Sequence, residues 1–364
     1  MVMRQQTIFL FCLGIDDVLN GSSKVAGIQV QMSFWAKTFV KNGWKVFSFS
    51  DKSNYTIEGI HFIHKKTSWF GRNGLSIIEE PFRYFKYIRQ TNADVVFVRG
   101  ARRDFYAIRK VCDLCKTKLV FLGASDRDFE PGQELILGSK INIKLYRKAL
   151  RKNDNFITQN KCQADNLLEH YGKRSIIIPN IWAKSDFNNN DKKKYAAIWI
   201  ANLRRLKRAE WFVELAKKMP QYRFAIVGGV NEQDYYELIK TESGYLGNLD
   251  FLGAQPLEKV NKLLSESQIL TCTSEFEGFP NTFLQAWAQN IPIVSTVNPS
   301  NLITDYGLGK IIHTEEELYP SISKLLSSIE LYQGIQDNIK KYFFENHDAD
   351  KAYLTVMETI NKQK

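Results

Sequence analysis

The chain has 364 residues, 44 % of them apolar and 24 % charged, with a formal net charge of +11. It is too long for a single core and too apolar for disorder, so two α/β domains are the default expectation. Its five cysteines, odd in number and irregularly spaced, exclude a disulfide scaffold and fit reduced thiols.

The first apolar run, Thr7 to Leu13, is too short to span a membrane and lacks both a basic leader and a small-residue cleavage site. It is expected to be the first buried strand of a cytoplasmic protein, and no other run is long enough to span. Val25 to Asn42 has helical periodicity, with Gly27 near its start. Lys45 to Phe49, Asp94 to Val98, Leu119 to Leu122, Phe156 to Thr158 and Ile176 to Ile178 read as strands. Strands alternating with helices predict a parallel sheet covered on both faces. Cys112 and Cys115 fall within a helical pattern, and His61 and His64 on a strand point to opposite faces, so no metal site is expected. Residues 69–89 interleave aromatic and basic side chains. The plain reading is a helix packing Phe82, Phe85 and Ile88 on the sheet; contact with a membrane interface and stacking on nucleic-acid bases are the functional ones. Residues 1–182 carry 29 Lys and Arg against 16 Asp and Glu, whereas residues 183–364 carry 21 against 23. The basic charge thus belongs to the first half and implies an anionic partner or surface there.

Residues 183–194 are polar, Asn-rich and aperiodic, and read as a linker between domains at 1–182 and 195–345. The alternation then restarts. Ala197 to Ile200 is a strand, Arg208 to Met219 a helix, and Phe224 to Val227 a strand ending in Gly228 and Gly229. Phe251 to Gly253 and a helix from Pro256 to Ser265 come next. Ile269 to Thr273 is an apolar strand leading through Glu277 into a turn at Gly278 and Pro280, then a helix over Asn281, Thr282 and Gln285. A strand, glycine turn and helix in this order aim backbone N–H groups and the positive end of a helix at an anion. A carboxylate at Glu277 and an amide at Gln285 facing that anion suit a phosphate ester that carries hydroxyls, such as a nucleotide-sugar. Asp350 to Ile360 is helical.

The segment Glu277, Gly278, Phe279, Pro280, Asn281, Thr282, Phe283, Leu284, Gln285, Ala286, Trp287 resembles the signature of retaining family 4 glycosyltransferases of the GT-B fold. The resemblance implies an α/β fold of two Rossmann-like domains facing across a cleft, with residues 346–364 crossing back to the first. It implies that Lys207 grips the donor diphosphate and that Glu277 contacts the sugar or its phosphate. The second glutamate of the family falls on Gln285, which keeps one acceptor for the ribose and loses the charge. The family's arginine before the lysine is absent: Asn202 stands there, and Arg204 is the favoured substitute over Arg205. Gly229 and Gly253 resemble loops that pass under the nucleoside. On the first domain, Gly27, Arg99 and Asp126 resemble acceptor or sugar-side positions, although the histidine usual near Asp126 is missing.

The activity implied by the resemblance is a metal-independent, retaining transfer from a nucleotide-sugar, with UDP or GDP as the expected nucleotide and no bound cofactor. The acceptor is expected to be a lipid-linked glycan of a bacterial surface polysaccharide, such as an O-antigen or capsule repeat, met at an anionic membrane surface. No nucleic-acid partner is expected. Three other readings stay open at this point: a nucleotide-sugar epimerase, a binder without turnover, and a nucleic-acid-binding protein.

Overall fold

The computed structural model describes residues 4–22, 27–65, 76–134, 137–182, 193–277 and 279–362. The chain divides into two compact units. The first comprises Met1–Asn20, Lys24–Ile181 and Ala349–Lys364; the second is Trp182–Asp348 with Gly21–Ser23. Most of the linker read at 183–194 lies outside the described residues, as do Gly278 and the aromatic start of the 69–89 segment.

In chain order the first unit runs β1 (Thr7–Leu13), α1 (Ile15–Leu19), α2 (Gly27–Lys41), β2 (Lys45–Ser50), β3 (Tyr55–Ile57), β4 (Ile60–His64) and α3 (Ser76–Thr91). It continues through β5 (Val95–Arg99), α4 (Phe105–Cys115), β6 (Lys118–Leu122), α5 (Lys140–Lys152), β7 (Asn155–Thr158), α6 (Lys161–Tyr171) and β8 (Ile176–Ile177). The strands form one sheet in the order β3-β4-β2-β1-β5-β6-β7-β8. All pairings are parallel except β3 with β4, so the expected parallel sheet carries an antiparallel edge hairpin. That hairpin turns at Glu58 and Gly59, both at positive φ.

β1 explains why both faces are covered. Ile8 and Leu10 join one core with Met32, Trp35 and Phe39 of α2, while Phe9 and Phe11 join the other with Tyr84 and Ile88 of α3. Strand alternation puts each set on its own face, and every member is at most 2 % exposed. The packing of α3 corrects the sequence reading. Tyr84 and Ile88 face the core, whereas Phe82 is 74 % exposed. The buried Tyr84 hydroxyl is satisfied by Asp104 at 2.6 Å, so a polar ring takes the place expected of a phenylalanine.

The second unit runs β9 (Tyr195–Ile200), α7 (Ala209–Lys218), β10 (Phe224–Val227), α8 (Gln233–Gly244), β11 (Leu249–Phe251), α9 (Leu257–Ser265) and β12 (Ser267–Cys272). It ends with α10 (Asn281–Trp287), β13 (Ile293–Ser295), α11 (Leu302–Asp305), β14 (Gly309–Ile311), α12 (Leu318–Ser327) and α13 (Ile329–Asn346). Its sheet is parallel throughout, in the order β11-β10-β9-β12-β13-β14. Strand order therefore reverses between β9 and β12. In open α/β sheets the crevice beyond the carboxyl ends of two such strands is where ligands bind.

The last helix, α14 (Ala349–Lys362), belongs to the first unit. Ala352, Val356 and Ile360 pack into the core beneath α2. Trp44 Nε1 donates to the Tyr353 hydroxyl at 3.0 Å, and Lys118 Nζ donates to the Ile360 carbonyl. No helix among the described residues is long and apolar enough to cross a membrane.

Candidate functional site

The loops that follow β9 and β12 meet at the reversal point. After β9 the chain passes Asn202 and Arg204 into a single 3-10 turn, Arg205–Lys207. After β12 it passes Thr273 and Ser274 to Glu277. Lys207 Nζ and Glu277 Oε1 form an ion pair, with the lysine side chain only 8 % exposed and the glutamate 22 %. The same Glu277 oxygen accepts from Ser274 Oγ at 3.1 Å. An ammonium has three donors, so Lys207 retains donors for a second anion.

Thr273 fastens the two loops together. Its hydroxyl is directed at the carbonyls of Lys207, 2.7 Å away, and Arg208, 2.8 Å away. It accepts from Nε1 of the buried Trp199 at 2.9 Å. Arg208, at a positive φ of 49°, returns a bond from Nε to the Thr273 carbonyl at 2.8 Å and stacks over Trp211. Glu275 N donates to Leu206 O at 2.8 Å. Neither Thr273 nor Arg208 stands out in the sequence as a site residue. A threonine ending a strand reads as an ordinary β-former, and its role depends on a loop distant in sequence.

The basic residues of the β9 loop separate by their partners. Arg205 pairs with Asp234 at 2.6 Å and stacks on Tyr235. The partly exposed Arg204 side chain has no ion pair or hydrogen bond among the described residues. Asn202 Oδ1 accepts from Gly229 N at 3.2 Å, which ties the β9 loop to the β10 loop. Gly228 is a close backbone approach: an added Cβ would lie 1.8 Å from the Ala201 carbonyl oxygen. Gly253, two residues beyond β11, has a φ of +63°.

Pro280 precedes α10, and Asn281 and Thr282 lie half-buried in its first turn. Phe279 rests against Trp287 and His347, each with ring centroids 6.3 Å away. Gln285 is 8 % exposed, and its side chain has no hydrogen-bond partner among the described residues. Burial pushes the Cys272 thiol up, which disfavours its thiolate.

The first-unit candidates share a sheet edge. Gly27 opens α2, Arg99 ends β5, and Asp126 opens a 3-10 turn after β6. A Cβ on Gly100 would lie 3.1 Å from Ala124 and 3.6 Å from Ile28, so the three segments converge. Burial lowers the Arg99 guanidinium to about 10, against the opposing pull of Asp128; its Nη2 donates to Asn180 at 2.6 Å. Asp126 is exposed and accepts from Asn160 at 3.2 Å. It is Asp128, buried and bonded to the amides of Ala101, Ala124 and Ser125, that holds this turn. Among the described residues no group of three or more His, Cys, Asp or Glu is placed to hold a metal ion.

The glycosyl transferases group 1 family model matches residues 180–342. The O-antigen biosynthesis glycosyltransferase WbnH of Escherichia coli is 29 % identical over 175 residues, covering 46 % of this chain and 48 % of that protein. The chain spans about half the length of the curated relatives it matches. A glycosyltransferase from Rickettsia africae has the same fold, with a TM-score of 0.72 at 16 % identity, over 99 % of this chain and 100 % of that one. A putative UDP-N-acetylglucosamine 2-epimerase from Listeria monocytogenes is also similar, with a TM-score of 0.65 at 11 % identity, over 99 % and 98 % of the two chains. These likenesses establish the GT-B fold.

Proposed function

We propose that this chain, whose residues 180–342 match the glycosyl transferases group 1 family model, moves a sugar from a nucleotide-sugar to a glycan acceptor, retaining the anomeric configuration. The observation that carries the reading is the Lys207–Glu277 pair at the strand reversal of the second unit. Breaking the bond between the anomeric carbon and the phosphate oxygen builds charge on the departing diphosphate. Lys207 and Arg204, with the amides of Asn281 and Thr282, stabilise that charge without a metal. Glu277 contacts the sugar or its phosphate. Gln285 takes the ribose, with Asn202, Gly229 and Gly253 shaping the nucleoside loops and Phe279 and Pro280 leading into α10. The acceptor oxygen bonds to the same face of the anomeric carbon, and its proton passes to the leaving phosphate oxygen.

The first unit, with Gly27, Arg99 and Asp126 at one sheet edge, is the acceptor side in this reading. Similarity to an O-antigen biosynthesis enzyme supports a lipid-linked surface glycan as the acceptor. The basic first half supports its delivery at an anionic membrane face. A thermal-shift screen against UDP, GDP, CMP and their sugar conjugates tests the donor site. Stabilisation by one nucleotide family that is lost in Lys207→Ala is the expected result; no shift with any of them would remove the donor assignment.

A second reading, donor binding without transfer, has one observation in its favour: an uncharged Gln285, 8 % exposed, stands where the resemblance places the second glutamate. Donor hydrolysis or transfer by the purified protein would dismiss it.

A further inference from the structure

Helix α5 breaks two rules of helix construction at once. Its sequence contains Lys140, Lys144, Arg147, Lys148, Arg151 and Lys152 and no acidic residue. Lys140, Lys144, Lys148 and Lys152 follow one another at four-residue spacing, so each stands one turn from a like charge, an arrangement that destabilises a helix. Lys140 also lies in the first turn, against the helix dipole. The buried side of α5 accounts for none of this. Tyr146, Ala149 and Leu150 fill the core, whereas all four lysines are exposed.

Local acids do not offset the charge. Among the described residues only Arg147 has a carboxylate partner, Glu134 at 2.7 Å. Asp165 and Glu169 on the neighbouring α6 are exposed and form no ion pair with the lysines. Along the same face Ile141 is 69 % exposed. The one aromatic ring of α5, Tyr146, is 1 % exposed, and the half-buried ring of Tyr106 on α4 is already met by Lys148 Nζ, 5.6 Å from its centroid.

We propose that the lysine face of α5 is the surface by which this chain docks on an anionic lipid bilayer. The line of cations runs for about 18 Å, at roughly 1.5 Å per residue, and meets anionic headgroups as a row. Ile141 enters the headgroup boundary beside it, the combination that draws a helix to an interface. Single-stranded nucleic acid is the poorer fit, because α5 offers no exposed ring on which a base can stack. The proposal deepens the reading of a lipid-linked acceptor and rests on it for its purpose. It also moves the contact away from the aromatic-basic segment at 69–89.

The test is flotation of the full chain with phosphatidylcholine vesicles, with and without about 30 % phosphatidylglycerol, at low salt and at about 0.5 M salt. The parent is expected to float only with the anionic vesicles and to be released by salt. In the double variant Lys140→Glu and Lys148→Glu, each charge on the ladder faces an opposite one a turn away. Vesicle-bound protein should fall at least tenfold, while the thermal midpoint stays level or rises by about 1–3 °C. If that variant does not fold, Lys144→Gln with Lys148→Gln repeats the measurement without reversing charge. A parent that stays in the soluble fraction, or variants that float like the parent, would overturn the proposal. So would tighter binding to a single-stranded oligonucleotide than to the vesicles. The nucleotide-induced thermal shift is measured on the same samples. Flotation without that shift counts against the transfer reading alone, and the shift without flotation counts against the α5 surface alone.

Discussion

Lys207 and Glu277 are 70 residues apart in the chain and form an ion pair where the strand order of the second sheet reverses. Neither loop alone builds this contact. The lysine is delivered by the loop after β9 and the glutamate by the loop after β12, and it is the parallel pairing of these strands that makes the loops neighbours. A buried ammonium held by one carboxylate, with donors to spare, is prepared for a second anion before that anion arrives.

Replacing Lys207 should therefore separate chemistry from folding. Lys207→Ala is expected to lower kcat by about 100-fold or more, the scale on which fixed charges at a leaving group act. Nucleotide-induced stabilisation should vanish with it. The apo protein should lose little stability, because Glu277 is partly exposed and keeps the Ser274 hydroxyl. Turnover within a few-fold of the parent would remove Lys207 from the site.

Thr273→Val removes the hydroxyl and keeps the shape. Trp199 Nε1 would lose its acceptor, and the carbonyls of Lys207 and Arg208 would lose their donor. A cost of about 1–3 kcal/mol is expected for the buried indole left unsatisfied, read as a lower urea midpoint. Because the freed loop carries Lys207, the apparent affinity for the donor should fall as well. A stability loss with unchanged nucleotide binding would make Thr273 purely structural.

The adjacent glycines Gly228 and Gly229 predict opposite outcomes. A Cβ at Gly228 meets the backbone oxygen of Ala201, which cannot move without shifting β9. Gly228→Ala should cost about 1–3 kcal/mol or yield no soluble protein. At Gly229 the nearest atom is Asn202 Oδ1 at 3.2 Å, the end of a side chain that can swing away. Gly229→Ala should fold normally and weaken nucleotide binding. Thermal midpoints of the two variants, compared with the parent, check the contrast.

The second unit was more legible in the sequence than the first, and the reason is physical. Its strands are short apolar runs closed by Gly228, Gly253 or a charged loop, so local chemistry marks each boundary. The Glu277 turn and Lys207 were likewise local signals. What joins them was not, because strand order and the threonine clasp depend on contacts between distant segments. In the first unit one position of α3 misled: Ile88 is buried and Phe85 packs against the core as expected, but Phe82 is 74 % exposed. Phe82, Phe85 and Ile88 make a plausible apolar stripe, yet the core takes Tyr84 because Asp104 satisfies its hydroxyl. The α5 ladder was visible as basic charge in the first half, but only the structure shows its four lysines on one exposed face with no acidic partner among the described residues. The roles read for Gly278 and most of the 183–194 linker lie outside the described residues.

The network around Asp104 sets an acid limit on the first unit. Arg102 Nε and Nη2 donate to the two Asp104 oxygens at 2.6 and 2.7 Å, and Tyr84 donates to Oδ2 at 2.6 Å. Arg102 Nη1 also reaches the Phe11 carbonyl at 2.5 Å, which binds the network to β1. Burial pushes the Asp104 carboxyl up, but the Arg102 charge and these hydrogen bonds outweigh it and hold the group at about 2. An unfolded aspartate titrates near 3.9. Because the folded value is the lower one, the unfolded chain binds the proton first as pH falls. The stabilisation is complete above about pH 5 and is lost as pH drops toward 2, and it amounts to about 2.5 kcal/mol. Asp104→Asn keeps the shape and removes the charge. It should lower the urea midpoint at pH 7 and leave Arg102 without its carboxylate. Between pH 4 and pH 2 the parent should lose stability faster than the variant, so that the two converge. A constant gap between them down to pH 2 would mean that Asp104 does not carry the acid sensitivity, and the next groups to test would be the carboxylates of Glu134 and Asp250, which are held low by Arg147 and by Tyr195 and Arg223.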